Sequence, residues 1–185
     1  MPPKTMTLTR PLVLVGMMGA GKTAIGGAVA RILDVPFIDS DEELVRAADR
    51  SIAEIFERDG EAFFRARETE VIARLLEGEP AVLSTGGGAF LSDTNRALIA
   101  EKGVAIWLKA DLQLLWSRVR HKTTRPLLQT DNPLATLTEI FNARTPIYEQ
   151  AAMFVEAQPE YSIEDMAQKV IETLNTANLL KETNT

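Results

Sequence analysis

One eight-residue segment, GMMGAGKT at residues 16–23, constrains this chain more than any other part of it. It fits the pattern G-x-x-x-x-G-K-[S/T] and lies between an apolar run at 12–15 and a helical apolar period at 22–33. In such a strand–loop–helix unit, glycines let backbone N–H groups turn toward phosphate oxygens, and the helix N-terminus adds partial positive charge. The segment predicts nucleotide binding. An accidental match to a strand–helix turn is the alternative, and the flanking pattern disfavours it.

The residue types in this loop favour ATP together with Mg²⁺. A lysine at position 22 can reach the β- and γ-phosphates, and the hydroxyl of Thr23 can bind the metal ion. GTPases normally carry an Asn-Lys-x-Asp sequence that reads guanine, and this chain contains none. The motif by itself does not separate kinases from ATPases. We expect the ATP site to include Gly19, Ala20, Gly21, Lys22, Thr23 and Ala24.

Apolar runs of strand length alternate with helical periods along the whole chain. Such alternation predicts a parallel sheet covered on both faces, with right-handed crossovers that bring the carboxyl ends of the strands to one edge. We therefore expect an α/β, three-layer P-loop NTPase fold with a central five-stranded parallel sheet flanked by helices. The predicted strands are 12–15, 35–38, 81–83, 104–108 and 153–155. Helices are predicted at 22–33, 62–77 and 111–120. Two further helices are predicted from their caps: a short one opened by Ser51 and Glu54, and a final one capped by Ser162 and Asp165.

The sequence shows no repeat and no low-complexity linker, so we expect one domain over residues 1–185. Residues 1–10 precede the first predicted strand as an N-terminal extension. The polar stretch 121–132 interrupts the periodic pattern and is predicted to be a mobile lid loop. Residues 176–185 form a polar C-terminal tail whose role the sequence does not indicate.

The composition of the chain limits the kinds of molecule that we expect it to bind. A formal net charge of −6 disfavours general binding to nucleic acids or anionic membranes, which attract basic surfaces. No apolar stretch approaches the roughly 20 residues that cross a bilayer, and the first ten residues lack the apolar run of a signal peptide. Without cysteine the chain can form no disulfide. We expect a cytoplasmic monomer that binds small molecules.

Carboxylates follow the second predicted strand, in Asp39-Ser40-Asp41. A carboxylate beside the phosphate loop can hold Mg²⁺ directly or through water, and a second one can accept a proton from a substrate hydroxyl. The same residues also suit the N-cap of a helix, and taken alone this structural interpretation is the stronger one.

Glycines and arginines complete the set of candidate residues. Three consecutive glycines at 86–88 follow a buried strand, and because they cost backbone entropy we expect a ligand to approach the backbone closely there. Arg65 lies on a charged helix, Arg125 in the polar loop and Arg144 on a later helix. Each could equally be an ordinary surface arginine.

Together these motifs resemble the shikimate kinase family. GMMGAGKT, DSD at 39–41, FRARE at 64–68, STGGGAF at 84–90, RPLL at 125–128 and RTPIY at 144–148 occur in that family's order and at its approximate spacing. The resemblance covers roughly residues 12–161. It implies an enzyme that transfers the γ-phosphoryl group of ATP to the 3-hydroxyl of shikimate in aromatic amino-acid (chorismate) biosynthesis.

The resemblance also implies a role for each candidate residue. Asp41 would hydrogen-bond the shikimate hydroxyls and serve as the candidate base. Arg65 and Arg144 would pair with the shikimate carboxylate, and Gly87 would bind shikimate through its N–H. Glu68 would orient Arg65. Asp39 and Thr23 would support Mg²⁺. Lys22 and Arg125 would stabilise charge on the phosphates, and Arg118 would stack on the adenine.

One segment departs from the family pattern. The family usually has an aspartate and a basic or amide residue in the loop after the fifth strand, where this chain has EAQPEY at 156–161. Tyr161 or backbone groups are therefore expected to contact the adenine. Two alternatives remain: a kinase for another hydroxylated acid such as gluconate, and a non-catalytic module of the same fold. The second is disfavoured because Lys22 and Asp41 are both present.

Overall fold

Five short parallel strands form the centre of the protein, in a computed structural model that describes residues 5–121 and 126–183. The strands of the chain are β1 (Thr5–Leu8), β2 (Leu12–Val15), β3 (Phe37–Asp39), β4 (Val82–Ser84), β5 (Val104–Lys109), β6 (Met153–Glu156) and β7 (Leu180–Thr183). The central sheet has the order β3-β4-β2-β5-β6 and is parallel throughout. The five-stranded parallel sheet predicted from the sequence is confirmed.

Seven helices in the described residues flank this sheet. They are α1 (Lys22–Leu33), α2 (Ser40–Ala48), α3 (Ile52–Glu77), α4 (Asp93–Lys102), α5 (Leu112–Val119), α6 (Pro133–Tyr148) and α7 (Ile163–Thr176). Short 3₁₀ turns occur at Ala89–Leu91 and Pro126–Leu128. The capping residues predicted for two helices are confirmed: Ser51 accepts from the Glu54 amide, and Ser162 forms a reciprocal capping box with Asp165.

The core lies between the helices and the middle strands. All four residues of β2 are at most 1% exposed, as expected for the central strand of a sheet covered on both faces. The strand predicted at 35–38 instead begins at Phe37. The reason is that the amide of Val35 donates to the carbonyl of Ala30 and closes α1, so this residue completes a helix end before the sheet begins.

Helix α3 contains one non-helical residue. Gly60 has φ 84° and ψ 171°, a conformation that other residues rarely adopt, and it separates residues 52–59 from 61–77. The sequence predicts two helices here, one opened by Ser51 and one over 62–77, and the kink agrees with that division. Residues of both arms, Ile55 in the first and Phe64 and Val71 in the second, pack in one cluster with Leu44 of α2.

A second, smaller sheet joins the two ends of the described chain. Strand β1 pairs antiparallel with β7, and Thr5 lies opposite Thr183 in the register. Leu8 and Leu180 on this ribbon are 2% and 9% exposed. The sequence predicts no strand at either end. The ribbon forms because pairing satisfies backbone groups while these two leucines are buried against the core.

None of the helices in the described part of the chain has the length and apolar character needed to cross a membrane.

Candidate active site

Three loops with chemically active residues meet at one edge of the sheet. Strands β3, β4 and β2 are neighbours, and their carboxyl ends lead into Asp39, the glycines at 86–88 and the phosphate loop at 16–21. The strand order reverses direction at β2, which has β4 on one side and β5 on the other. Such a switch point opens a crevice at the carboxyl ends of the strands, where α/β proteins bind their ligands.

The phosphate loop has the backbone that its sequence predicts. Gly19 has φ 84°, and a methyl group at its Cα would lie 2.8 Å from Val119 Cγ1 on α5, so only glycine fits without strain. The Gly19 carbonyl accepts a hydrogen bond of 3.0 Å from Arg118 Nη1, and Lys22 Nζ donates to the Gly16 carbonyl at 2.6 Å. The lysine ammonium thus lies against the same loop whose N–H groups would receive phosphate oxygens.

A groove of about 570 Å³ runs from this loop to the start of α7. Arg118 and Tyr161 lie on it together, and burial lowers the pKa of the Arg118 guanidinium. Ile163 also lines the groove and is 50% exposed. Of the residues predicted to bind ATP, the groove is lined by Gly19, Gly21, Lys22, Thr23, Ala24, Arg118 and Tyr161. The side chain of Ala20 is buried in the core, which leaves only its backbone for a ligand.

The two carboxylates after β3 do different things. Asp39 is the N-cap of α2, because its Oδ1 accepts from the amides of Asp41 and Glu42 at 2.9 and 3.2 Å. Asp41 lies in the first turn of that helix, where only its backbone amide, and not its side chain, takes part in the cap. The capping interpretation of this segment therefore holds for Asp39, and the Asp41 side chain is available for chemistry.

The carboxylate of Asp41 is half-buried among charged groups. Burial raises its pKa and the nearby Asp39 raises it further, while Lys22 and Arg65 lower it. A carboxyl group whose pKa is moved toward neutrality accepts a proton more readily than an exposed one. The electrostatic surroundings of Asp41 therefore suit a general base.

Each glycine of the triplet lies against one charged side chain. A methyl group at Gly86 would lie 2.9 Å from both carboxylate oxygens of Asp41. At Gly87 it would lie 2.8 Å from Arg144 Nη1, and at Gly88 it would lie 2.5 Å from Arg65 Nη2. The sequence predicts that these glycines admit a ligand to the backbone. In the structure they leave room for three charged side chains, so that α2, α3 and α6 each bring one charge to the same loop.

Arg65 is held by a buried carboxylate. Its Nη1 donates to Glu68 Oε1 at 2.9 Å, and Glu68 is 2% exposed. Burial raises the pKa of Glu68, and the hydrogen bond and charge of Arg65 lower it. The contact that the family resemblance implies between these two residues is present, and it leaves the far side of the guanidinium facing the glycine triplet.

A sequence model of the shikimate kinase family matches residues 18–175 of this chain. The chain belongs to the shikimate kinase family. The shikimate kinase of Ruegeria pomeroyi is 62% identical over 169 residues, covering 91% of this chain and 87% of that protein. That of Cereibacter sphaeroides is 60% identical over 176 residues, covering 95% and 88%. A solved shikimate kinase from Acinetobacter baumannii, in complex with shikimate, is 36% identical with a TM-score of 0.84, covering 92% of this chain and 95% of that one.

Membership of the shikimate kinase family confirms the enzyme class and the fold that the motifs predict. It does not test the role of any single residue. Arg125, predicted to act from the lid, lies outside the described residues, as does part of the predicted lid loop 121–132. The other predicted residues of the phosphate and acceptor sites are described, and the structure gathers them at the one edge of the sheet.

One residue of this shikimate kinase site receives no role from the sequence. Tyr148 ends α6, is 1% exposed, and donates its hydroxyl hydrogen to the Gly87 carbonyl at 2.8 Å. It lies four residues after Arg144, and residues at this spacing share one face of a helix. That spacing is the signal in the sequence that connects the tyrosine to the acceptor site.

Gly88→Ala is expected to raise the acceptor KM about tenfold or more and to lower the Tm by a few degrees, since moving Arg65 also weakens its hydrogen bond to the buried Glu68. The backbone at Gly88 is one that alanine adopts, but the new methyl group would displace the Arg65 guanidinium. A hydrogen bond to a charged group contributes about 1.5–3 kcal/mol, which sets the size of the loss. Steady-state kinetics with each substrate varied separately, together with thermal unfolding, measures both effects.

Gly27→Ala is the matched control for this change. Gly27 lies within α1, and nothing lies within 4 Å of the position its methyl group would take. The control is expected to keep both KM values and to gain about 0.5–1 kcal/mol of stability. An unchanged acceptor KM in Gly88→Ala would mean that Arg65 does not act on the acceptor from its present place.

Proposed function

We propose that this protein transfers the γ-phosphoryl group of ATP to the 3-hydroxyl of shikimate, giving shikimate 3-phosphate for aromatic amino-acid (chorismate) biosynthesis. The observation that carries the proposal is the glycine triplet that holds Asp41, Arg65 and Arg144 beside the phosphate loop. Two guanidinium groups and one carboxylate suit an acceptor that bears both an anionic group and hydroxyls. A neutral sugar would need no such pair of arginines.

The arginines bind the carboxylate of the acceptor. A guanidinium is planar and presents paired donors, so it matches a carboxylate with two parallel hydrogen bonds. Arg65 comes from α3 and Arg144 from α6, and both reach the glycine loop between them. Shikimate would lie against this loop with its carboxylate between the two arginines and with the N–H of Gly87 as a further donor.

Asp41 orients the reacting hydroxyl and accepts its proton. Its carboxylate lies over Gly86, and Lys22 is close enough to influence its pKa. The nucleophile would therefore be held between the acceptor site and the phosphate loop. In phosphoryl transfer most of the catalytic effect comes from such in-line positioning and from stabilisation of charge, with no covalent intermediate on the protein.

The phosphate loop supplies donors for the nucleotide. Its amides and the ammonium of Lys22 would bind the β- and γ-phosphates, and moving from the Gly16 carbonyl to a phosphate oxygen requires only a side-chain rotation. Arg118 and Tyr161 line the far part of the groove and would contact the adenine. Arg125 of the lid loop 121–132 would approach the transferred group and stabilise its charge.

Thr23 and Asp39 fit a magnesium ion that is bound mostly by phosphate and water. Mg²⁺ in such sites takes only one or two protein ligands. Thr23 lies at the start of α1 on the groove, and Asp39 uses a single oxygen for both of its capping hydrogen bonds. Among residues 5–121 and 126–183 no three acidic or histidine side chains form a metal cage, in keeping with this mode of binding. When bound, Mg²⁺ neutralises charge on the phosphates.

The remaining features of the proposal concern the molecule as a whole. We propose that the chain works as a single domain and a monomer in the cytoplasm, without nucleic-acid or membrane partners. The net charge of −6 disfavours nucleic-acid and membrane partners. The absence of cysteine fits a protein of the cytoplasm.

Wild-type protein tested for ADP release with shikimate, quinate and gluconate in parallel distinguishes the proposal from its alternatives. Quinate and gluconate also carry a carboxylate and hydroxyls, so the three acids probe the shape of the acceptor site rather than its charge. We expect shikimate to give a kcat/KM at least about 100-fold above the other two, since one unpaired buried polar contact costs that much or more. Preference for gluconate would identify a different acid kinase. No turnover with any acid would support a non-catalytic module.

A further inference from the structure

Tyr148 connects two parts of the acceptor site that come from distant segments of the chain. Its hydroxyl donates to the Gly87 carbonyl at 2.8 Å. Burial raises the pKa of this hydroxyl, and the Arg144 guanidinium lies near enough to lower it. Arg144 Nη1 in turn lies against Gly87, 2.8 Å from the place a methyl group would occupy. The tyrosine, the arginine and the glycine therefore form a closed set of contacts.

The ring of Tyr148 is fixed on both sides. Phe90 and Trp107 lie at centroid distances of 6.5 and 6.2 Å, in stacked arrangements. Trp107 belongs to β5, and Phe90 belongs to the 3₁₀ turn that follows the glycine triplet. With the ring held between these elements and the side chain 1% exposed, the hydroxyl has one position relative to Gly87.

The chemistry of the hydroxyl suits this double contact. A phenol donates one hydrogen bond and accepts others, whereas a carbonyl only accepts and a guanidinium only donates. Burial raises the pKa of Tyr148, so the hydroxyl keeps its proton and remains a donor at neutral pH.

We propose that Tyr148 is a positioning residue of the acceptor site, whose hydroxyl holds the Arg144 guanidinium against Gly87 in the orientation that receives the carboxylate of the acceptor. This inference rests on the proposed function. It assigns to Tyr148 an effect on acceptor binding, beyond the packing that its burial already supplies.

Tyr148→Phe tests the proposal because it removes the hydroxyl and keeps the ring. We expect the KM for shikimate to rise about 5- to 20-fold and the KM for ATP to stay within about twofold of wild type. The Tm should fall by only about 2–4 °C, the change for one lost hydrogen bond in a chain of this size. A purely structural tyrosine would lower the Tm in the same way and leave the shikimate KM unchanged.

Thr138→Val on the same helix is the matched control. Its hydroxyl also donates to a backbone carbonyl, that of Leu134, at 2.7 Å, and this hydrogen bond is exposed although Thr138 itself is half-buried. This variant is expected to keep both KM values. A rise in the shikimate KM equal to that of Tyr148→Phe would show that any weakening of α6 has this effect, and would overturn the proposal.

A double-mutant cycle then tests whether Tyr148 acts through Arg144. Arg144→Ala alone is expected to raise the shikimate KM. In the double variant, the total rise in this KM over wild type should be clearly smaller than the product of the two single-variant rises. Multiplicative effects would mean that the tyrosine does not act through the arginine. If wild type turns over shikimate and Tyr148→Phe keeps its KM, only this inference is wrong. If wild type does not turn over shikimate, the proposed function fails as well.

Discussion

Lys22→Met is expected to abolish measurable turnover, lowering kcat by about 10²–10³-fold or more, since removing one charge-stabilising donor from an enzyme site costs about that much. Methionine keeps an unbranched side chain of similar length, so the packing of the loop should survive. The lost group is the ammonium, which lies 2.6 Å from the Gly16 carbonyl at the point where phosphate oxygens would enter. Coupled ADP release measures the activity, and circular dichroism with thermal unfolding checks the fold.

Lys102→Met provides the control for this experiment. Lys102 pairs with Glu77, away from the carboxyl edge of the sheet, and its removal deletes one lysine with the same change in net charge. The control should retain wild-type kcat. Turnover near the wild-type rate in Lys22→Met would remove the ammonium from the mechanism and would leave the loop as a structural turn.

Asp41→Asn is expected to lower kcat by about 10²–10⁴-fold, the range that a positioned general base contributes. Asparagine keeps the size of the side chain but loses its charge and its capacity to accept a proton. Because Asp39 and not Asp41 caps α2, the variant should unfold within a few degrees of wild type. The measurements are shikimate-dependent ADP release and thermal unfolding.

Glu42→Gln is the matched change for Asp41→Asn. Glu42 lies in the same first turn of α2, is exposed, and loses the same unit of charge. It should keep full activity. Full activity in Asp41→Asn would assign the proton transfer elsewhere and would reduce Asp41 to a hydrogen-bond partner of the substrate.

The parts of the fold that the sequence predicts are those that depend on residues close together in the chain. The phosphate loop is specified by its glycines, and the strands by apolar runs of three to five residues that a buried parallel sheet requires. Helix starts at Ser51 and Ser162 follow from side chains that cap the backbone three residues on. Each of these features is decided by neighbours in the sequence.

The sequence predicts a set of candidate site residues but not their arrangement. The motifs point to Asp41, Arg65 and Arg144, but they cannot show that each lies over its own glycine, since these contacts join residues 23 to 57 positions apart. The triplet was expected to receive a ligand directly, and that stays a prediction. The structure adds that three charged side chains lie against the same glycines. The role of Asp39 as the cap likewise required the backbone geometry of α2.

The ribbon that pairs β1 with β7 has a consequence for how the molecule is made. Its two strands are joined by a hydrogen bond between Thr183 and Thr5, residues 178 positions apart. During synthesis β1 leaves the ribosome before the other described elements, and β7 follows all of them. Closing so long a loop is slow and gains nothing until both strands exist. The other described elements can therefore fold first, and the ribbon can pair only after β7 has been made.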